Sequence, residues 1–154
     1  MIKINNLSFS YGSVPCLENI SLCLEEGKIY GLLGENGVGK TTLLTLLCGL
    51  KKPDSGSIDT DGDTPYRRNP SLLQDQYYLP DEVAPVNERA ERWARDTGKF
   101  WPKYSHDKFL QAMSLLENDP SQKMNAMSAG QLKKTYISFA LACNVKHLLL
   151  DEPT

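Results

Sequence analysis

The sequence predicts an α/β fold with an antiparallel β edge and an inserted helical segment. Residues 28–33 form a short apolar run that ends at a glycine, which is typical of a buried strand. Residues 41–50 carry leucines at helical spacing, so a helix is predicted a few residues after the strand. Residues 128–143 and 147–150 form a second helix and buried strand near the end of the chain. Strands that alternate with helices favour a parallel sheet covered by helices.

The composition is that of an ordinary globular protein. Hydrophobic residues make up 40% of the 154 positions and charged residues 23%, and this length suits one compact domain with a small subdomain. There are 17 basic and 19 acidic residues, and the formal net charge of -2 gives no positive field that would attract nucleic acid. We therefore expect no nucleic-acid partner.

The N-terminal residues and the cysteines favour the cytoplasm. The N-terminus lacks the basic start, apolar run and cleavage site of a signal peptide. No pair of cysteines has C-x-x-C spacing, so we predict reduced core thiols rather than a disulfide framework or a zinc site. The cysteines are Cys16, Cys23, Cys48 and Cys143.

The remaining elements are predicted from apolar spacing. Residues 1–11 alternate apolar and polar side chains, which indicates an edge-type strand, and residues 14–24 predict a second strand. Residues 58–64 predict a hairpin around an Asp-Gly turn, and residues 72–79 a further strand. Residues 82–116 are rich in charges and aromatic rings at helical spacing, which indicates a helical insertion.

A glycine-rich segment between the first predicted buried strand and its helix fits the pattern G-x-x-x-x-G-K-[ST] without departure. It consists of Gly34, Glu35, Asn36, Gly37, Val38, Gly39, Lys40 and Thr41. Glycines let the backbone curl so that its N–H groups surround phosphate oxygens, and the dipole of the following helix favours the same anion. The flanking strand and helix distinguish the segment from a chance turn. It predicts a P-loop NTPase (RecA-like) core that binds ATP and Mg²⁺.

Three side chains at the start of that helix have predicted roles. Lys40 would contact the β- and γ-phosphates, and the Thr41 hydroxyl would ligate Mg²⁺. Thr42 would add a hydroxyl on the α-phosphate side. We assign the ATP-binding α/β core to residues 1–80 plus 136–154 and the helical subdomain to residues 81–135.

The apolar strand at 147–150 leads into two carboxylates, which is typical of a Walker B strand. Asp151 would hold Mg²⁺. Glu152 would orient and deprotonate the attacking water. The alternative is a buried strand with a polar end, which the upstream P-loop makes less favourable.

Residues 127–131, Met-Ser-Ala-Gly-Gln, resemble the Leu-Ser-Gly-Gly-Gln signature motif of ABC ATPases. The Asp-Glu-Pro-Thr ending at 151–154 also resembles the Walker B end of that family. The resemblance to ABC transporter ATP-binding subunits covers essentially the whole chain. Met127 and Ala129 depart from the usual Leu and Gly, and the methyl group at 129 crowds a close approach of phosphate.

The resemblance implies that the signature segment (residues 127–131) contacts ATP held by a second ATP-binding subunit in a head-to-tail dimer. Ser128, Gly130 and Gln131 would make this contact with the γ-phosphate. Ser128 and Gln131 also fit the S-x-x-Q pattern of a capping box at a helix start. Both interpretations can hold at once.

Two more positions take roles from the resemblance. Tyr11 lies where the family has an aromatic ring that stacks on adenine, and surface packing is the alternative. The glutamine that senses Mg²⁺ in the family corresponds to Asp81, which would ligate metal or orient water as a catalytic group. Gln74 and Gln76 are rival positions for this role.

The aromatic residues of the insertion have two interpretations. They would form the core of the helical subdomain, which the usual burial of aromatic rings favours, or anchor a coupling helix of a transmembrane permease subunit. Residues 100–104, Phe-Trp-Pro-Lys-Tyr, also resemble a subgroup of bacterial exporter ATPases. The aromatic residues are Trp93, Phe100, Trp101 and Tyr104.

The resemblance implies an ATPase that binds MgATP, dimerises and couples hydrolysis to transport at the cytoplasmic face of the inner or plasma membrane. A soluble ABC ATPase in translation or cluster assembly is the alternative function. Family members continue beyond Walker B with a D-loop and a switch histidine. We therefore expect that the C-terminal part of the fold is missing here, and that residues 1–154 alone hydrolyse ATP poorly or not at all.

Overall fold

The computed structural model describes residues 1–153, so Thr154 of the Asp-Glu-Pro-Thr ending lies outside the described residues. The chain forms two compact units, one of residues 1–73 and one that begins at Gln74. No helix within residues 1–153 is long and apolar enough to cross a membrane.

The first unit contains a three-stranded antiparallel sheet in the order β2-β1-β3. Its strands are β1 (Ile2–Tyr11), β2 (Val14–Leu24) and β3 (Ser55–Thr60). The strands predicted at 1–11 and 14–24 are confirmed, but the edge position predicted for the first is wrong, because β1 pairs on both sides. Apolar alternation reports one buried face of a strand and does not say whether the strand lies at an edge.

The Asp-Gly turn after β3 has the predicted form. Asp61 and Gly62 have φ of 53° and 88°, as a two-residue type I′ turn requires. Thr60 and Asp63 exchange backbone hydrogen bonds of 2.8 and 3.0 Å. The returning arm is only an isolated bridge at Asp63, so the hairpin is shorter than predicted.

The buried strand predicted at 28–33 is wrong. No strand forms over these residues, all of which the structure describes, and the side chains of Ile29 and Leu33 are almost fully exposed. A central strand needs ladder partners and a covering layer, and an apolar run supplies neither by itself. The apolar pattern of a buried strand is therefore present at residues 28–33, but within the described chain these residues have no neighbouring strands or covering side chains that would bury them.

Helix α1 (Lys40–Leu47) confirms the predicted helix but ends three residues earlier. Gly49 has φ of 74°, its N–H donates to the Leu46 carbonyl at 3.1 Å, and the Leu50 N–H donates to the Thr45 carbonyl at 2.9 Å. These two bonds form a Schellman motif, which stops the helix before Pro53 can act.

The second unit contains two parallel strands, β4 (Gln76–Leu79) and β5 (His147–Leu150), with Gln76 opposite His147. The predicted final strand is confirmed. The strand predicted at 72–79 is half its expected length, because residues up to Gln74 belong to the short helix α2 (Pro70–Gln74).

Three longer helices pack in the second unit: α3 (Ala90–Thr97), α4 (His106–Leu115) and α5 (Ala129–Ala142). They confirm the helical segment predicted at 82–116 and the helix at 128–143. Four aromatic rings surround the buried Phe139 side chain, with centroid separations of 4.7 to 5.7 Å. They belong to Tyr77, Trp93, Trp101 and Tyr104. The core interpretation therefore holds for three of the four predicted aromatic residues, whereas Phe100 is largely exposed.

The cysteines differ in burial. Cys48 and Cys143 are buried core thiols, as predicted, and burial raises the pKa of Cys143 to about 12. Cys23 is exposed and Cys16 is half-buried, so the prediction of core thiols is wrong for Cys23. Cys23 lies on β2 where alternate side chains point to solvent.

Candidate nucleotide-binding site

The P-loop of the first unit has the backbone that its glycines predict. Gly37 and Gly39 have φ of 83° and 102°, which side-chain-bearing residues rarely adopt. A Cβ atom at Gly39 would lie 2.8 Å from Leu17 Cδ2 and 3.3 Å from the Cys16 carbonyl oxygen. The loop thus lies directly against β2, and only glycine fits at the point where the helix starts.

Lys40 folds back onto the loop that precedes it. Its ammonium donates to the Gly34 carbonyl at 2.9 Å and to the Glu35 carbonyl at 3.1 Å. These contacts place a positive charge at the mouth of the curled backbone. Such a charge can transfer its hydrogen bonds to the oxygens of a bound anion.

The start of α1 leaves backbone donors available to a ligand. The first helical bond runs from the Leu43 N–H to the Gly39 carbonyl at 2.9 Å, so the N–H groups of Thr41 and Thr42 have no intrahelical acceptor. No side chain in the described part of the chain caps this helix. The Thr41 side chain is exposed and the Thr42 side chain is buried. A positive dipole end with open amides is an anion-binding arrangement.

The structure brings Tyr11 to the predicted loop. The hydroxyl groups of Tyr11 and Thr42 are hydrogen-bonded at 3.1 Å, and the Cys16 thiol donates to the Thr42 hydroxyl at 3.5 Å. The hydroxyl expected on the α-phosphate side is therefore engaged by two neighbours of the same unit. Nearly half of the Tyr11 side chain stays exposed, so its ring is accessible to a ligand.

The carboxylates of the second unit differ in exposure. Asp151 is 2% exposed and accepts a hydrogen bond from the Tyr78 hydroxyl at 3.3 Å, while its N–H donates to the Leu79 carbonyl at 2.9 Å. Glu152 is exposed and has φ of 44°, so its backbone turns away from β5 immediately after the strand.

Sequence reasoning missed Lys133, which joins α5 to the ends of both strands. Its side chain is 14% exposed. The ammonium donates to the carbonyls of Asp81 at 2.6 Å, Pro80 at 3.1 Å and Asp151 at 3.3 Å. It also lies 3.7 Å from the Asp81 carboxylate. No local pattern could reveal this role, because every acceptor is distant in sequence.

The signature segment opens α5 with the predicted capping box. The Ser128 hydroxyl accepts from the Gln131 N–H at 3.2 Å, and the Gln131 side chain accepts from the Ser128 N–H at 2.9 Å. Ser128 and Gly130 are exposed, and a Cβ at Gly130 would meet no heavy atom within 4 Å. Asn118 supports the first turn from beneath by donating to the Gln131 carbonyl at 2.8 Å.

Asp81 lies two residues beyond β4, where its backbone is held by Lys133 and its side chain is 63% exposed. Of its rivals, Gln74 ends the helix α2, and Gln76 is buried at the first position of β4. The resemblance requires a residue at the end of the strand, and Asp81 matches that position better than either glutamine.

Residues 17–154 match the family model described as "ABC transporter". The chain belongs to the ABC transporter family. The aliphatic sulfonates import ATP-binding protein SsuB of Zymomonas mobilis is 33% identical over 99% of this chain. The ABC transporter ATP-binding protein YtrB of Bacillus subtilis is 31% identical over 100% of it. The chain spans 62% of the first protein and 53% of the second.

Solved ABC cassettes share the fold. An ABC transporter ATP-binding protein of Pyrococcus furiosus aligns over 99% of this chain and 75% of its own, with a TM-score of 0.86 and 25% identity. The cassette MJ0796, in a dimeric structure bound to ADP and Pi, aligns with a TM-score of 0.84 at 22% identity, covering 100% of this chain and 75% of its own. These alignments confirm the predicted P-loop NTPase fold. The names of these relatives give no support to an exporter subgroup.

Proposed function

We propose that this ABC-family chain binds MgATP and acts as the nucleotide-binding part of a transporter ATPase. The observation that supports this most strongly is the loop at 34–41. There, glycines with positive φ, an inward-folded ammonium and the uncapped start of α1 converge in one unit. Backbone donors and a lysine in this arrangement suit the oxygens of a triphosphate.

Within the first unit, different residues bind different parts of the nucleotide. The loop amides, from Gly34 to Gly39, surround the phosphates, and Lys40 exchanges its two carbonyl acceptors for β- and γ-phosphate oxygens. The hydroxyl of Thr42 lies toward the α-phosphate and orients Tyr11, whose exposed ring receives adenine. Nearly half of Tyr11 stays exposed, so its ring is accessible to the base in this arrangement.

The residues offered to Mg²⁺ fit the ion chemically. Mg²⁺ prefers oxygen ligands, and the exposed Thr41 hydroxyl and the buried Asp151 carboxylate are both oxygen donors. Bound Mg²⁺ would offset the negative charge of the phosphate oxygens. Glu152, exposed beyond β5, takes the proton of the attacking water, and Asp81 helps to orient that water.

The signature segment serves a second subunit in this proposal. Ser128, Gly130 and Gln131 are directed at the γ-phosphate of ATP bound by a second ATP-binding subunit, head to tail. The exposed first turn of α5 supports this role, because its amides and dipole suit an anion. The solved MJ0796 cassette bound to ADP and Pi is itself a dimer, which is consistent with such an arrangement.

We propose a transmembrane permease subunit as the further partner of this chain. One of the relatives named above is an import ATP-binding protein, and import of a solute requires a pathway through a membrane. We assign nucleotide binding to residues 1–80 plus 136–154 and contact with partners to the subdomain at 81–135. The chain would then lie at the cytoplasmic face of the membrane as a peripheral subunit.

Calorimetry with MgATP tests the proposal. The chain should bind MgATP, and Lys40→Met should weaken binding by about 10- to 100-fold, because charge-assisted hydrogen bonds to phosphate are lost. Lys28→Met removes an exposed lysine of the same unit and should change affinity less than two-fold. Absence of binding by the folded chain, or equal effects of the two substitutions, would refute the proposal.

A further inference from the structure

A lysine that no sequence motif includes lies over the ring of Tyr11. The Lys51 ammonium is 4.8 Å from the centroid of the Tyr11 ring and 5.6 Å from that of Phe9. The rings of Phe9 and Tyr11 meet edge to face, with centroids 5.0 Å apart. Distances within about 6 Å of a ring face are those of a cation–π interaction.

The backbone around Lys51 fixes this placement. The Lys51 N–H donates to the Thr45 carbonyl at 3.3 Å, immediately after the Schellman motif that ends α1. Three residues later, the Asp54 N–H donates to the Ser8 carbonyl at 3.0 Å, and the Asp54 carboxylate accepts from the Ser10 N–H at 2.7 Å. The segment 51–54 is thereby attached to the end of β1 that carries Tyr11.

Tyr11 is held from three directions. Lys51 covers one face of its ring, Phe9 packs against it at right angles, and Thr42 fixes its hydroxyl group. A side chain that is this constrained loses little rotamer freedom when a ligand stacks on it, so less of the stacking energy is spent on ordering the ring. Nearly half of Tyr11 stays exposed, and this part is accessible to a nucleobase.

We propose that Lys51 is a positioning residue for nucleotide binding, which holds Tyr11 in the orientation that accepts a purine base. The inference rests on the proposed function, in which Tyr11 stacks on adenine. Lys51 acts on the base through the ring and not on the phosphates. The loss of Lys51 should therefore weaken the binding of ATP and leave the binding of a base-free polyphosphate nearly unchanged.

The test compares MgATP with magnesium tripolyphosphate by calorimetry on the full chain. Lys51→Met should weaken the binding of MgATP by about two- to five-fold, the range that an exposed cation–π contact supports. The binding of tripolyphosphate should stay nearly unchanged. Lys51→Arg keeps a cation over the ring and should restore ATP affinity. Lys52→Met is the matched control, because Lys52 lies 5.5 Å from the ring of Tyr66 instead.

A double-mutant cycle tests whether Lys51 acts through the Tyr11 ring. In a Tyr11→Leu background there is no ring to position, so Lys51→Met should cause no further loss of ATP affinity. Circular dichroism verifies that each variant is folded.

Three outcomes would overturn the inference. Equal weakening of ATP and tripolyphosphate would mean that Lys51 acts only as a charge near the phosphates. Unchanged ATP affinity in Lys51→Met would mean that the Tyr11 ring binds the base equally well without the Lys51 ammonium. A full loss on Lys51→Met in the Tyr11→Leu background would mean that the lysine acts without the ring. A wild-type chain that binds neither compound would instead refute the proposed function itself.

Discussion

Helix α1 has Gly39 at its N-cap and receives no side-chain cap from any of residues 1–153, whereas α5 has Ser128 at its N-cap with both halves of a capping box. Both helix starts lie in a segment that family resemblance assigns to phosphate. At α1 the first-turn amides have no intrahelical acceptor, and Lys40 lies beside them. At α5 the Gln131 amide is already satisfied by Ser128.

The difference indicates which helix start is prepared to bind a ligand alone. An uncapped start lowers helix stability and leaves donors for an anion. A capped start is stable without a ligand, and its serine must exchange one hydrogen bond before it can serve a phosphate. We infer that the P-loop binds nucleotide within one chain and that the signature segment responds only when another subunit presents a phosphate.

Alanine at Gly39 and alanine at Gly130 should have different effects on stability. Gly39→Ala should lower the free energy of unfolding by about 2–3 kcal/mol, because φ of 102° is unfavourable and the Cβ approaches Leu17 at 2.8 Å. Gly130→Ala, at an open helical position, should be neutral or stabilising by up to about 1 kcal/mol. Denaturant titrations followed by circular dichroism measure both. Similar changes in the free energy of unfolding for the two variants would contradict the described difference between the two helix starts.

Lys133→Met tests how α5 is attached to the strand ends of its unit. Removing the ammonium deprives three backbone carbonyls of a donor, so the free energy of unfolding should fall by about 1–3 kcal/mol. Lys134→Met is the matched control at the next, exposed position and should change stability by less than about 0.5 kcal/mol. Both tryptophans, Trp93 and Trp101, lie in this unit, so their fluorescence reports its unfolding. Equal midpoints for the two variants would exclude the proposed attachment.

The smallest effect is expected at the cap itself. Ser128→Ala should lower the free energy of unfolding of the second unit by about 1 kcal/mol, since one hydrogen bond of the capping box is lost. Ser128→Thr keeps a hydroxyl and should be close to wild type. Neither change should alter the affinity of the isolated chain for MgATP. A loss of affinity in Ser128→Ala would show that the signature segment already contacts nucleotide within one chain.

Local patterns predicted those features that local chemistry determines. The P-loop glycines, the Asp-Gly turn and the S-x-x-Q capping box each depend on neighbours within a few residues, and all were found where the sequence placed them. The central position of β1 and the exposure of residues 28–33 depend on pairing with distant strands. Apolar spacing does not encode that pairing.

The roles of Lys133 and Lys51 were missed for the same reason, because they depend on residues that are distant in sequence. Lys133 contacts carbonyls near residue 80 and at Asp151, and Lys51 contacts rings on β1. A lysine in the sequence looks like a solvated charge until the fold brings acceptors or rings to it. Asp81 was chosen by resemblance to a position and not by a chemical pattern, so its catalytic role stays a prediction.

Hydrogen exchange of the backbone amides, with and without MgATP, tests whether the P-loop binds nucleotide within one chain. Nucleotide should slow exchange at residues 34–42 and leave exchange at residues 128–131 unchanged while the chain is monomeric. Unchanged exchange at residues 34–42 at saturating MgATP, in a chain that remains folded, would contradict binding by the P-loop.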